Sequence, residues 1–229
     1  MISMAAMSKA QRSYLPAAGR DLFLPVYDLT AKVLGADRAR QVLLDQIHFR
    51  GEEHVLDIGC GTGTFAVLLK RRLPAAQIIG LDPDPKALAR AKSKAEQAGV
   101  SLRFDQGFAD ALEYPAETFD TVFSSFMFHH LHSNNREKTL REVVRVLKPG
   151  GTFYLLDFET SESSSGHGFF RLFHANERMR DNSESRILAL MDDAGFADRE
   201  KMGTRPVLFG LARAAYFRAV APAVGRGQA

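Results

Sequence analysis

Apolar residues in this chain arrive as short runs that alternate with helical stripes. Val55-Leu56-Asp57-Ile58 is an apolar run broken by one acid and closed by Gly59, which reads as a strand ending in a turn. Ala66, Val67, Leu69 and Leu73 then recur near helical spacing, with Pro74 just beyond, and predict a helix. Gln77-Ile78-Ile79-Gly80-Leu81 ends at Asp82 as a second strand. Asp84 and Pro85 supply an N-cap and a first-turn proline for a helix with a stripe of Ala87, Leu88, Ala91, Ala95 and Ala98, stopping at Gly99. Leu102 and Phe104 mark a third strand, and residues 118–126 a fourth that is apolar enough to lie inside a parallel sheet. Leu140, Val143, Val144 and Leu147 share one face of a helix capped by Ser133 or Asn134 and closed by Lys148-Pro149-Gly150. Residues 151–158 read as a fifth strand. Ile187, Leu190, Met191 and Ala194 mark a helix ending at Gly195, followed by strand-like segments at 199–203 and 209–218 that can pair antiparallel. Strands alternating with helices, then a hairpin, predict an α/β domain: a mostly parallel sheet with helices on both faces and one antiparallel strand.

The turn after the first strand, Gly59-Cys60-Gly61-Thr62-Gly63, is built from residues that tolerate positive φ. Strand, glycine turn and helix open a βαβ unit in which backbone N–H groups and a helix N-terminus face a ligand. Asp82 lies about 20 residues on, where an acid on the second strand reaches a pair of ribose hydroxyls. That spacing also suits a dinucleotide enzyme, but two residues oppose one. The dinucleotide fingerprint needs glycine where Thr64 stands, and Asp57 would repel a pyrophosphate. A ligand carrying positive charge and no phosphate meets neither objection.

These residues resemble the class I S-adenosylmethionine-dependent methyltransferases, in particular their ubiquinone/menaquinone-biosynthesis-like small-molecule branch. The resemblance covers Val55 through Gly63, Leu81-Asp82, Phe119-Asp120-Thr121-Val122 running to His129-His130-Leu131, and Glu142-Val143-Val144-Arg145-Val146-Leu147-Lys148-Pro149-Gly150-Gly151. It implies a Rossmann-like seven-stranded sheet in the order 3-2-1-4-5-7-6, with S-adenosyl-L-methionine as cofactor. Asp57 then attracts the ammonium directly or through water, and the amides around Gly59, Cys60, Gly61 and Gly63 take the carboxylate. Asp82 accepts from the ribose hydroxyls. Adenine lies between Pro83 and the loop Gln106-Gly107-Phe108-Ala109-Asp110, where Phe108 replaces the acid that many relatives carry. Ser125 and Phe126 wall the pocket. His129 or His130, the latter preferred, takes a proton from the acceptor, or the pair shapes the turn. Tyr27 either reaches the methionine end or packs its helix on the sheet.

Composition narrows the picture further. A chain of 229 residues, 45% of them hydrophobic, suits one α/β domain rather than two. No apolar run approaches the roughly 18 residues of a membrane span. Net charge is +3, and the acids and bases of residues 51–158 nearly balance, so no basic stripe points to nucleic acid. The single cysteine, Cys60, excludes an internal disulfide, and its place in the loop reads as a small residue beside a cofactor rather than a nucleophile. Residues 1–20 are basic and lack the apolar core of a secretory signal. We read them as a disordered tail and expect a cytoplasmic protein.

Residues 21–229 form one expected methyltransferase domain. Within it, residues 21–49 make two helical pieces, the first interrupted at Pro25 and the second capped by Asp37, and the resemblance sets them over the cofactor mouth. Residues 161–182 contain Phe169, Phe170, Leu172, Phe173 and Met179 among Arg171, His174, Arg178 and Arg180. This insertion reads as a lid over an apolar or aromatic acceptor, as a helix covering the sheet edge, or as a contact for a membrane-borne acceptor. The functional expectation is methyl transfer to a small molecule by in-line displacement. Its rivals are a regulatory protein that binds the cofactor without turnover and a dinucleotide oxidoreductase.

Overall fold

The structure is a computed structural model, and it describes residues 35–159 and 182–223. Tyr27, the first helical piece at 21–34 and all of the 161–182 insertion except Asn182 lie outside the described residues.

The strands are β1 (His54–Ile58), β2 (Gln77–Asp82), β3 (Arg103–Gln106), β4 (Phe119–Ser125), β5 (Leu147–Glu159), β6 (Asp198–Val207) and β7 (Ala212–Val220). They form one sheet in the expected order β3-β2-β1-β4-β5-β7-β6. The β1–β2, β1–β4, β2–β3 and β4–β5 pairs are parallel, and β7 runs antiparallel to both β5 and β6. The helices are α1 (Ala36–Asp45), α2 (Thr64–Arg72), α3 (Pro85–Gln97), α4 (Ser133–Val146) and α5 (Glu184–Asp193).

Alternate residues of each interior strand feed the two faces, as the two-residue period of a strand requires. Val55 and Phe123 join Leu43, Leu44, Phe65, Leu69 and Leu88 in the core under α1, α2 and α3. Leu56, Ile58 and Val122 join Leu140, Val143, Ile187 and Met191 under α4 and α5. Since both faces are covered, β1 and β4 are buried almost throughout, and the one acid near the end of β1, Asp57, is conspicuous for that reason.

Several boundaries differ from the sequence expectation. Gly35, with φ 87°, is the N-cap of α1 in place of Asp37, whose carboxylate instead bonds Arg40 Nη1 at 3.0 Å. The N-cap of α4 is His132, with no side-chain cap, so Ser133 and Asn134 already lie inside the helix. The run Lys148-Pro149-Gly150 belongs to β5, whose pairing shifts from Phe119–Leu147 to Thr121–Thr152 across a bulge. Phe209, expected to open the last strand, and Leu208 before it both adopt positive φ, 56° and 54°, in the turn between β6 and β7. Their apolar character imitates a strand while their backbone makes a corner. Asp84 does cap α3, accepting from Lys86 N–H at 2.9 Å.

Candidate functional site

Three parallel strands bring acids to one end of the sheet: Asp57 at the end of β1, Asp82 closing β2 and Asp157 near the end of β5. Open parallel sheets bind ligands beyond the carboxyl ends of their strands, and β1 and β4 flank the point where strand order reverses.

Asp57 is 1% exposed, and among the described residues neither of its carboxylate oxygens has a hydrogen-bond partner. Burial lifts its pKa to about 7, against the pull of the Arg40 charge and with a further push from Asp82. Arg40 comes from α1 and donates from Nε to Ser125 Oγ at 3.0 Å, while its guanidinium lies 5.6 Å over the Phe126 ring. Phe126 holds a positive φ of 56°, a costly conformation for a bulky residue, fixed by its N–H bond to Leu156 O at 2.8 Å.

The glycine turn is closed upon itself. Gly59 and Cys60 N–H both bond Leu81 O, at 2.7 and 3.0 Å, and Gly63 N–H bonds Cys60 O at 2.9 Å. Gly61 N–H bonds Asp82 Oδ2 at 2.9 Å. These four donors are engaged inside the protein, which corrects the expectation that they take a ligand carboxylate. At Gly59 a Cβ would stand 2.1 Å from Met127 Cγ, so the turn after β4 sits directly on the glycine loop. A Cβ at Gly61 would meet nothing within 4 Å, so the loop is open there. Thr64, where a dinucleotide site needs glycine, receives Lys94 Nζ at 2.6 Å, and the same ammonium reaches Thr62 Oγ1 at 3.0 Å. Lys94 thereby ties α3 to the loop.

Asp82 Oδ1 also accepts Asp84 N–H at 2.9 Å. Burial raises its pKa to about 6, with the two backbone donors pulling the other way. Each oxygen keeps a second lone-pair direction. Gly107 N–H bonds Asp82 O at 3.2 Å and Gln106 Nε2 donates to Pro83 O at 3.1 Å, which joins the loop bearing Phe108 and Ala109 to the end of β2. Burial, reinforced by Asp57 and Asp82, pushes the Cys60 thiol well up, so it is an inert wall residue, not a nucleophile.

A family model described as a methyltransferase domain matches residues 55–151. Over residues 55–151 the chain is thus similar to the class I S-adenosylmethionine-dependent methyltransferases. It is similar to the demethylmenaquinone methyltransferase of Thermus thermophilus, 40% identical over 137 residues that cover 58% of this chain and 61% of that protein. The demethylmenaquinone methyltransferase of Deinococcus radiodurans is 38% identical over 152 residues, covering 65% of this chain and 62% of that protein. The chain thus spans about three fifths of the length of these curated relatives. Its fold is shared with the YcgJ protein from Bacillus subtilis, at a TM-score of 0.67 and 22% identity, covering 81% of this chain and 99% of that one.

Around this methyltransferase frame the structure gathers Asp57, the glycine loop, Asp82, Pro83, Phe108, Ser125 and Phe126 at one sheet end. Two residues that the sequence did not single out stand with them. Arg40 carried no motif, and its Asp37 neighbour three places earlier resembled a surface ion pair. Asp157 carried the same signal as Asp57 and Asp82, an acid at the end of an apolar strand. It bonds His129, whereas the sequence reading preferred His130.

Proposed function

We propose that this chain transfers a methyl group from S-adenosylmethionine to a small apolar or aromatic acceptor by in-line displacement. One observation carries the reading: a buried carboxylate, Asp57, without donors among the described residues, beside a loop whose own donors are engaged. Such a lining accepts hydrogen bonds and offers few, so it fits a ligand that brings donors and positive charge. A pyrophosphate, which needs donors, is poorly matched.

Bound S-adenosylmethionine supplies a methyl carbon activated by a sulfonium. Asp57 would hold the ammonium, and the free lone pairs of Asp82 would accept the ribose hydroxyls. Pro83, Phe108 and Ala109 would flank the adenine, and Ser125 and Phe126 would close the wall toward the acceptor. Tyr27 remains an expected contact from outside the described residues. Positioning and exclusion of water then provide much of the rate, since displacement at an activated carbon gains most from a held, aligned nucleophile. The names of the demethylmenaquinone methyltransferases support an aromatic, quinone-like acceptor.

The test is calorimetry with S-adenosylmethionine on the full chain and on Asp57→Ala and Asp82→Ala, followed by incubation with methyl-labelled cofactor and a panel of naphthols, quinols and small amines. Micromolar binding lost in both variants, and label moving to an aromatic member, is the expected result. Unchanged binding in either variant overturns the pocket. Tight binding with no transfer to any acceptor overturns turnover in favour of a regulatory role.

A further inference from the structure

Asp157 is fully buried beneath the 3₁₀ turn Phe128–His130. It accepts His129 N–H on Oδ2 at 2.8 Å, Phe158 N–H on Oδ1 at 2.7 Å and His129 Nδ1 on Oδ1 at 2.6 Å. Burial pushes its pKa up, but the His129 charge and hydrogen bond, together with the two amides, outweigh burial and hold it below the usual carboxylate range. An ionised carboxylate only accepts, so Nδ1 carries the hydrogen, and whenever the ring is in its neutral form its lone pair stands at Nε2. No hydrogen bond from the described residues engages Nε2.

The ring is fixed from several sides. It lies against His130 at 4.0 Å, tilted by 42°, and meets the Phe158 ring edge-on at 5.2 Å, and Phe158 in turn packs on Phe126 at 4.9 Å. Arg136, buried in α4, pins the turn from behind through Nε to Leu131 O at 3.2 Å and through its guanidinium 5.2 Å over Phe128. Met127, one residue before the turn, lies against Gly59 of the loop. The His129 side chain is 12% exposed, open enough for contact with a small molecule and otherwise dry. A structural pin needs only the bond to the turn's backbone. A buried carboxylate that also selects the ring tautomer is the arrangement that orients an imidazole base.

We propose that His129 Nε2 is the general base of the methyl transfer, that Asp157 is its positioning residue, and that the acceptor bears a phenol- or enol-type hydroxyl. The proposal rests on the methyl-transfer reading above. The acceptor O–H bond breaks and its proton passes to Nε2. The freed pair, on oxygen or on a conjugated carbon, bonds to the methyl carbon, and the pair of the breaking carbon–sulfur bond stays on sulfur. Imidazolium and a neutral thioether result, and the proton leaves to solvent. Among the described residues, the titratable or charged groups facing the ring are Asp157 from β5 and His130 from its own turn, with Arg40 of α1 two rings away, beyond Phe158 and Phe126.

The test uses the full chain, S-adenosylmethionine and two probes: 1-naphthol, protonated at neutral pH, and 4-nitro-1-naphthol, ionised there. In His129→Gln, whose amide can still donate to Asp157, transfer to 1-naphthol should fall roughly hundredfold or more in kcat, with transfer to the ionised probe within about fivefold. Asp157→Asn should show the same selectivity at smaller size. Nitrogen-15 spectra of the histidines should give the Nδ1–H tautomer for His129 in the wild type and its loss in Asp157→Asn. Equal losses on both probes, no loss on 1-naphthol, or an Nε2–H tautomer in the wild type would overturn the base assignment while leaving methyl transfer standing. A wild type that binds S-adenosylmethionine but methylates neither naphthol overturns the acceptor class and this inference with it. A wild type that does not bind S-adenosylmethionine overturns the underlying reading instead.

Discussion

Replacing Asp57 by asparagine should stabilise the ligand-free chain at neutral pH and remove its response to S-adenosylmethionine. The Asp57 pKa is about 7 in the folded chain against an ordinary 3.8. Between these values the folded state holds a proton that the unfolded state releases, so stability falls as pH rises from about 4 to about 7 and is flat above. The gap of about 3 pH units corresponds to about 4 kcal/mol at its full extent. Asparagine removes that cost but leaves an amide with the same missing partners, at about 1–3 kcal/mol. The net gain above pH 7 is therefore about 1–3 kcal/mol, or some 2–10 °C in melting temperature for a domain of this size.

The assay is thermal melting of both proteins at pH 5 and pH 8, with and without S-adenosylmethionine. Comparing the two proteins cancels the titration of Asp82 apart from its coupling to Asp57. The advantage of the Asp57→Asn variant should grow between the two pH values. Ligand at about 100 times its dissociation constant should then raise the wild type alone, by about 2.7 kcal/mol. Two results would refute the reasoning: a variant less stable than the wild type at pH 8, or equal shifts of both proteins with ligand.

Two further outcomes follow from the same neighbourhood. Gly59→Ala places a methyl 2.1 Å from Met127 Cγ at a φ of 68°, so it should cost about 2–4 kcal/mol in chemical denaturation, and Met127→Ala should restore part of that in the double variant. Strictly additive losses would sink the contact as the cause. Arg40→Met removes the charge that holds the Asp57 pKa down, so stability should decline more steeply, and to higher pH, across pH 6–8 than in the wild type; an unchanged slope in pH-dependent melts would contradict that coupling.

How far the site could be read from the chain depended on how local each contact is. Strand, glycine turn and helix from Val55 to Leu73 form one continuous segment, so their pattern carries the loop and both Asp57 and Asp82 directly. The engagement of the loop donors did not show, because the acceptors, Leu81 O and Asp82 Oδ2, belong to the neighbouring strand. Arg40 meets Ser125 across 85 residues, and no pattern within its own helix points to that partner. Phe209 misled for the opposite reason: its apolar side chain promised burial, yet it is 81% exposed in a turn whose positive φ values no hydrophobic pattern reveals. The alternation of strands and helices carried a mostly parallel sheet ending in a hairpin, whereas its order was what the family resemblance implies.

The three acids at the strand ends share one sequence signature and differ in what donates to them. Asp57 and Asp157 are nearly inaccessible and Asp82 is largely enclosed, so burial pushes all three pKa values up. Asp57 has no hydrogen-bond donor among the described residues and stands at about 7, and Asp82 has two amides and stands at about 6. Asp157 has two amides and an imidazole and lies below the ordinary range. Donor number therefore orders them where burial alone would not. The first is left with a demand for a cation, and the second is held in shape while keeping lone pairs for hydroxyls. The third is satisfied within the protein, which suits a group whose work is to orient another residue. An acid closing an apolar strand locates the end of the sheet where chemistry happens; the donors around it decide which part of that chemistry it can perform.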